Sequence, residues 1–546
     1  MPFHPHPSRP VWHSVSFCLL AATLFPGCNS TSKKNAPLTL NTERVSIASS
    51  PATIPQRPLP PSPSVSQLKA LSLNPVPSAH LAPQLNRLLT APLIANVASK
   101  NHPQPSLSQN PHLGQFLRVA SWNIEKSLRI PQLVAILKSE EAFKQQLKPE
   151  ILSNPAALQE ALRQRQRLIS ADVLLLQEMD IGHPRSNYLH ATREIAKALD
   201  MNYSFAPQQI EIDPAYLGLE GGTPPDPKRY QGLFGIAVLS RQPILSATAF
   251  PLQTQPYDWY HDELKPITSI EKVRRFAAHV LVHSQFQREL KYGGRIFFRV
   301  DLFMPGLPAS RLSIIHNHLE IKTTTLGREA QLKEVLNHIR PIPHAVIMAG
   351  DHNSAQTDVS ATSLSRVVRR ASTDPQTWVD AAANVWSVVP DGISLGRSIL
   401  NNVKNLHNPL AAHIPLIFPN QTRRLFKTIE DFRFDDGGHF DTRGDRTRSI
   451  NGKSSHFANS NQRYWKGLAP TFRVPRPIGP FGRTRLDWIF VKQPSEWQNS
   501  YRFAPHFGET LEMLDKGLMA PLSDHLPIIV DLPLSEPQLA PQKSTP

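Results

Sequence analysis

Six short segments, spread over more than 400 positions, each set an Asn, Asp, Glu or His at the end of an apolar run or just beyond it. They are SWNIE at Ser121–Glu125, LLLQE at Leu174–Glu178, HNHLE at His316–Glu320, GDHN at Gly350–Asn353, LDWIF at Leu486–Phe490 and SDH at Ser523–His525. Side chains of these types suit the hydrolysis of phosphate esters. That reaction needs a divalent cation to neutralise the phosphate and the leaving oxygen. It also needs a group that orients or deprotonates water, donors for the five-coordinate transition state, and a means of positioning the leaving group. Magnesium prefers oxygen ligands and keeps several waters, so one or two carboxylates seat it.

Glu178 follows VLLLQ, where a buried strand would fix it, and is the best candidate ligand. Asn123 also follows an apolar run and cannot ionise; it suits a neutral ligand or a phosphate donor, with turn capping as its ordinary role. Asp351 and Asn353 flank His352 after AVIMAG. An Asp there can hold the attacking water, and the Asn amide can donate to a phosphate oxygen. His318 and His525 each adjoin an apolar strand, and a His beside a carboxylate has a fixed tautomer and raised basicity. We pair Asp487 with His525. Taken singly, each residue has a structural explanation: a surface Glu after a core strand, a loop Asp-x-Asn, a packed His. Taken together the set is far more specific.

These groups converge only if the runs before them are strands whose ends share one rim. FLRVASWN from Phe116 has strand character, and DVLLLQE is a continuous apolar run suited to a strand buried on both faces. Further strand-like runs are Leu233–Ser240, Phe276–Val282, Ile296–Phe303, Leu312–Asn317, His344–Asp351, RLDWIFV and LPIIVDL. Helices are predicted near Pro131–Gln146, Pro155–Ser170, Ala191–Leu199 and Gly327–Ile339. Strands and helices mixed throughout give an α/β or α+β class.

The order Asn, Glu, His, Asp-x-Asn, Asp, Asp-His resembles the endonuclease/exonuclease/phosphatase superfamily, which includes pancreatic-type deoxyribonucleases, abasic-site endonucleases, inositol-polyphosphate phosphatases and bacterial sphingomyelinases. The resemblance covers about Phe116–Leu532 and extends to GIAVLSRQPI at Gly235–Ile244 and to Arg328 and Gln331. It implies an α/β, deoxyribonuclease-like fold: a two-sheet β-sandwich flanked by helices, four layers in all, with the site at one edge. It implies a metal site containing Asn123, Glu178 and Asp524, with Glu178 the principal ligand and Asp524 near the metal or its waters. It implies catalytic roles for His318 on the scissile phosphate, Asp351 on the attacking water, Asn353 on phosphate, and Asp487 orienting His525. The implied cofactor is Mg²⁺, with Mn²⁺ accepted. The chain departs from the pattern at His352, where an aromatic is common, at Trp488 for Tyr, and at Asn317 for Thr or Ser. An insertion at about 385–480 is long for the family.

Both cysteines, Cys18 and Cys28, lie in the leader, so the body contains no disulfide, no Cys-based zinc site and no Cys nucleophile. Residues 1–28 have the layout of a secretory signal: Arg9, an apolar stretch Val15–Phe25, then Pro26-Gly27-Cys28. That stretch is too short for a permanent span, and a small residue before Cys resembles a lipoprotein cleavage site. The expected location is exported, as a periplasmic or outer-membrane-anchored lipoprotein attached through a lipidated Cys28, or else secreted. Residues 29–115 hold 14 prolines and no aromatic residue, which predicts a disordered linker, apart from a candidate short helix near Leu81–Val97. The domain is then 116–535, followed by a flexible tail at 536–546.

A net charge of +16 favours anionic partners without choosing among nucleic acid, small phosphates and membranes. The insertion carries Arg423, Arg424, Arg433, Arg443, Arg446, Arg448, Tyr464, Trp465 and Phe472, which suit gripping phosphates and stacking bases. The leading expectation is a phosphodiesterase, with DNA or RNA slightly favoured as substrate. The alternatives are a sphingomyelinase-like or other lipid phosphodiesterase, a phosphomonoesterase, and a non-catalytic surface lipoprotein that only binds. No protein partner is expected.

Overall fold

The computed structural model describes residues 55–74, 76–98, 107–212, 224–264, 289–354, 408–410, 422–465, 467–478 and 481–538. The leader, the strand expected at Phe276–Val282, the first part of the insertion and the end of the tail lie outside the described residues. The described strands, in chain order, are β1 (Leu93–Ala95), β2 (Ser108–Asn110), β3 (Gly114–Asn123), β4 (Val173–Ile181), β5 (Asn202–Glu211), β6 (Leu233–Ser240), β7 (Ile244–Pro251), β8 (Lys291–Gly293), β9 (Ile296–Phe303), β10 (Arg311–His318), β11 (Ala345–Asp351), β12 (Arg463–Tyr464), β13 (Gly467–Leu468), β14 (Phe472–Ile478), β15 (Phe481–Thr484), β16 (Asp487–Lys492), β17 (His506–Thr510) and β18 (Ile528–Pro533).

Period-two alternation explains why these strands form two facing sheets. The first sheet runs β1-β5-β6-β4-β3-β18-β17, with β8 beside β5 and β2 beside β3. The second runs β16-β11-β10-β9-β7. Within them β3–β4 and β10–β11 are parallel, and the other pairs are antiparallel. On β3, Leu117 and Val119 enter the core between the sheets, whereas Ala120 and Trp122 face outward. On β4, Val173 and Leu175 face in, and Leu174 and Leu176 face out. The second sheet repeats the pattern with Leu312 and Ile314, Ala345 and Ile347, and Ile489 and Val491 facing in.

Helices cover both outer faces. Ile130–Lys138, Pro155–Ile169 and Ala191–Leu199 place Ile130, Leu133, Leu168 and Ile195 on the first sheet. Thr325–Ile339 and Arg423–Asp431 place Leu332, Val335, Leu336, Phe426 and Ile429 on the second. The layer order is helices, sheet, sheet, helices: the α/β sandwich flanked by helices that the resemblance implies.

Two expectations about the chain outside the sandwich are corrected. Within the predicted linker, residues 55–74 and 76–98 are structured: helix Val65–Leu73, and the helix expected near Leu81–Val97, which spans Leu81–Thr90, bury Leu68, Leu71, Leu85 and Leu88, and β1 pairs antiparallel with β5. Leucines at helical spacing bury apolar area without any aromatic residue, and Ser64 and Gln67 close a capping box at the first helix. The insertion's arginines are also largely occupied. Arg443 and Arg448 both pair with Asp441, at 2.8 and 3.1 Å, and Arg423 pairs with Glu430 at 2.8 Å. Those three side chains hold the insertion together rather than standing ready for phosphate.

One buried carboxyl gives the fold a pH signature. Asp172 accepts from the Arg118 backbone N–H at 2.7 Å, and burial pushes its carboxyl up to about 7. A carboxyl raised on folding contributes stability that is complete below its unfolded pKa of about 4 and is lost as pH rises through the folded value. In Asp172→Asn this loss should vanish. Thermal melts at pH 5 and pH 8 should show the variant gaining at least about 2 °C on wild type between the two pH values. An equal offset at both pH values would contradict the assignment.

Candidate active site

The site lies where the inward-facing series of several strands continues past the apolar core. On β3 the series Leu117, Val119 runs on to Ser121 and Asn123. On β10 it runs from Leu312 and Ile314 to His316 and His318; on β11, from Ile347 and Ala349 to Asp351; on β16, it begins at Asp487 ahead of Ile489 and Val491. The two sheets therefore deliver polar groups to one rim from opposite sides. A layer of buried polar side chains separates core from rim: the Gln177 amide lies 2.6 Å from His316 Nε2 and donates to Ser121 Oγ at 3.1 Å, which links the sheets.

Strict alternation would not bring Glu178 to this rim. Leu176 pairs with Ala237, but Met179 pairs with Gly235, so β4 spends three residues where β6 spends two. Leu176 and Met179 both face outward, and the extra residue is a β-bulge. Glu178 takes φ 60°, a left-handed conformation that is uncommon for a residue other than Gly, Asn or Asp. The bulge turns its carboxylate toward Asn123, whose Nδ2 donates to Glu178 Oε1 at 3.1 Å. Glu178 Oε2 accepts from the Lys126 backbone N–H at 3.1 Å. Glu125, Lys126 and Ser127 all have positive φ, between 46° and 57°, so that donor comes from a left-handed turn. Ser127 Oγ pins the bulge by donating to Glu178 O.

The same Asn123 amide donates to Asp351 Oδ2 at 3.2 Å. From Asp351 the cluster extends to His318 Nε2 at 3.5 Å and His525 Nε2 at 3.8 Å. His525 Nδ1 lies 2.8 Å from Asp487 Oδ2, the pairing expected from the sequence. Asp351 and Asp487 are register partners across β11 and β16. Asn353 meets Asp351 Oδ1 with its backbone N–H at 2.7 Å, and its side-chain amide donates to Leu319 O at 3.0 Å. Asp524 is half-buried beside His525, and its carboxylate acts there through charge. Asn123, Glu178, His318, Asp351, Asn353, Asp487 and His525 thus form one cluster.

The electrostatics divide the two imidazoles. Burial pushes His318 well below the ordinary imidazole range, and Arg295 lowers it further, so it is neutral. Burial opposes charge on His525 too, but Asp487, its hydrogen bond and then Asp351 and Asp524 carry its pKa well above the usual value. Burial raises Asp351 to about 7, with His525 opposing and Asp487 adding to the rise.

The donor set fits a divalent cation. Two carboxyl groups, Glu178 and Asp351, converge on the Asn123 amide, and oxygen donors gathered at one point are what a divalent cation takes. Donor atoms of Asp351, Asp487 and His525 also lie within 4.8 Å of one another. In that trio His525 Nδ1 already meets Asp487, so only Nε2 remains for another partner.

His352, the departure inside Gly-Asp-x-Asn, packs edge-on against Phe490 with centroids 5.5 Å apart and is fully buried. It is a core residue. Sequence reasoning missed Thr471, and it named Phe472 only among the insertion's aromatics, not as a neighbour of His525. Thr471 Oγ1 accepts from the N–H groups of Leu486 and Asp487, at 3.0 and 3.1 Å, and so fixes the start of β16. The Phe472 ring lies 5.1 Å from His525. Neither adjoins a long apolar run; only the aromatic in an Arg-rich stretch signalled the segment.

The sequence matches the model of the Endonuclease/Exonuclease/phosphatase family over residues 120–525, more than half of the chain. Comparison with curated proteins finds no match. Among solved structures, the chain is similar to an endonuclease/exonuclease/phosphatase from Beutenbergia cavernae at 16% identity, covering 77% of this chain and 72% of that one, with a TM-score of 0.37. It is also similar to a 3'-5' exonuclease from Neisseria meningitidis, at 12% identity, 76% and 99% coverage and a TM-score of 0.35. An AP endonuclease from Archaeoglobus fulgidus is 12% identical, with 76% and 99% coverage and a TM-score of 0.34.

Gly350 is the backbone device that brings Asp351 against β10. At φ +146°, a Cβ there would lie 1.9 Å from the Asn317 carbonyl oxygen. Gly350→Ala should therefore push β11 away from β10 and destabilise the fold by about 2 kcal/mol or more. Thermal unfolding measures it, and a melting temperature equal to wild type would show that the contact is not a constraint.

Proposed function

The chain belongs to the Endonuclease/Exonuclease/phosphatase family, whose members are metal-dependent phosphoester hydrolases, and we propose that within it the protein is a phosphodiesterase of nucleic acid that uses Mg²⁺, with Mn²⁺ accepted. The observation that supports this most is the unbroken path of contacts from Glu178 through Asn123 and Asp351 to His525 and Asp487. Glu178 would hold the cation, with Asn123 beside it and Asp524 near its waters. When bound, the cation neutralises the phosphate and the developing charge on the leaving oxygen.

The chain's own residues account for the remaining requirements. The Asp351 carboxylate, made more basic by burial, is placed to take a proton from water as the oxygen bonds to phosphorus. Neutral His318 stands beside it as a neutral donor to a phosphate oxygen. His525, kept charged by Asp487, stabilises the added negative charge of the transition state and is placed to protonate the leaving oxygen as its bond to phosphorus breaks. The second amide hydrogen of Asn353 completes the donors to phosphate. The net positive charge of the chain suits a polyanion.

Hydrolysis of bis-p-nitrophenyl phosphate should require Mg²⁺ or Mn²⁺ and stop with chelator. Glu178→Ala and His525→Ala should each lower the rate by about 10²-fold or more. Side-by-side assays with plasmid DNA, sphingomyelin and a phosphomonoester should show DNA cleaved fastest. Preference for sphingomyelin or the monoester would replace the substrate assignment, a rate unaffected by chelator or by both substitutions would overturn the site, and no hydrolysis by wild type with either metal would leave a binding protein without turnover.

A further inference from the structure

Beside the catalytic cluster the insertion builds a cavity of about 430 Å³. Its aromatic lining is Tyr464, Trp465 and Phe472, and Leu526 closes it next to His525. Trp465 is 51% exposed, unusual for so large an apolar side chain when the other large aromatics among the described residues are mostly buried. The cavity is joined to the site through backbone and ring contacts. Phe472 bridges to His525, the Arg473 N–H donates to the Asp524 carbonyl at 3.0 Å, and the Phe472 ring sits 5.1 Å from the imidazole.

The charge around the cavity selects its occupant. Lys453, Arg473, Arg483 and Lys516 line it against only Glu512 and Asp515. Both acids are already engaged: Glu512 meets Lys516 and the Tyr464 hydroxyl, and Asp515 lies 3.7 Å from Arg473. A quaternary-ammonium headgroup would be drawn to aromatic faces but repelled by this excess of positive charge. A flat, neutral ring that carries phosphates on either side meets both conditions, because bases stack on aromatic side chains irrespective of sequence while cations track the backbone.

We infer that this cavity is a nucleobase subsite, in which an unpaired base lies against Trp465 and Phe472 while its own phosphate reaches His525 and the neighbouring phosphate meets Arg483. The inference rests on the phosphodiesterase reading and narrows its substrate to single-stranded or locally unpaired nucleic acid.

Fluorescence anisotropy in chelator tests it without turnover, using a labelled ten-residue oligothymidylate and an abasic strand of the same length. Wild type should bind the thymidylate about ten-fold more tightly than the abasic strand. Trp465→Ala should abolish that preference, and Trp465→Phe should restore most of it. Arg483→Ala should weaken both strands alike and reduce the slope of log affinity against log salt by about 0.7. Equal wild-type affinity for the two strands, or a preference that survives in Trp465→Ala, would overturn the subsite. So would sphingomyelin vesicles captured by wild type, lost in Trp465→Ala, with no base preference. A protein with the base preference but no nuclease activity would refute the catalytic reading alone; a nuclease without the preference would refute the subsite alone.

Discussion

One amide holds the centre together. Asn123, from the first sheet, donates to Glu178 on its own sheet and to Asp351 on the other. Buried carboxylates are costly without partners, so the arrangement requires that the sheets stay in register at this rim. The apolar core between them enforces that register, since a slip of one residue on any strand would turn its inward series to the opposite face. Core and site are in this sense one structure: Leu117 and Val119 place Asn123, and Ile489 and Val491 place Asp487.

The region around that amide departs from regular geometry in ways that all act on the same carboxylates. The bulge in β4 frees Glu178 from the outward face, three successive left-handed residues present the Lys126 N–H to it, and Gly350 lets β11 approach β10 closely enough for Asp351 to meet His318. Strained backbone of this kind persists where the surroundings over-determine it. Here the surroundings include a buried ionic group: Lys126 and Lys291 both pair with Glu289 beneath the turn. The two imidazoles then separate by environment alone, His318 neutral through burial and His525 charged through Asp487.

Much of this was legible in the sequence because it is carried by strand ends. Apolar runs such as VLLLQ and AVIMAG announce strands, and the polar residue that closes each run announces the rim. The Asp487–His525 pair and the sandwich followed from the order of those residues and from the resemblance it carries. The bulge was not legible, since no Gly or Pro marks Gln177–Glu178. Of the ordered arm at 55–74 and 76–98, only the helix at Leu81–Thr90 was signalled, by the spacing of Leu81, Leu85 and Leu88; the lack of aromatics hid the rest. The insertion's arginines looked available because Asp441 identifies itself as their partner only once the chain is folded. Thr471 acts through its hydroxyl on two backbone N–H groups, a role that residue type alone does not signal.

The position of the cation decides the central claim most directly, because Glu178 and the Asp351–Asp487–His525 trio offer different seats for it. Anomalous diffraction from crystals soaked in Mn²⁺ would locate the ion. The account predicts a single peak against the Glu178 carboxylate, on the Asn123 side of Asp351, with the His525–Asp487 hydrogen bond intact. A peak coordinated by His525 and Asp487 with Glu178 unengaged would contradict it.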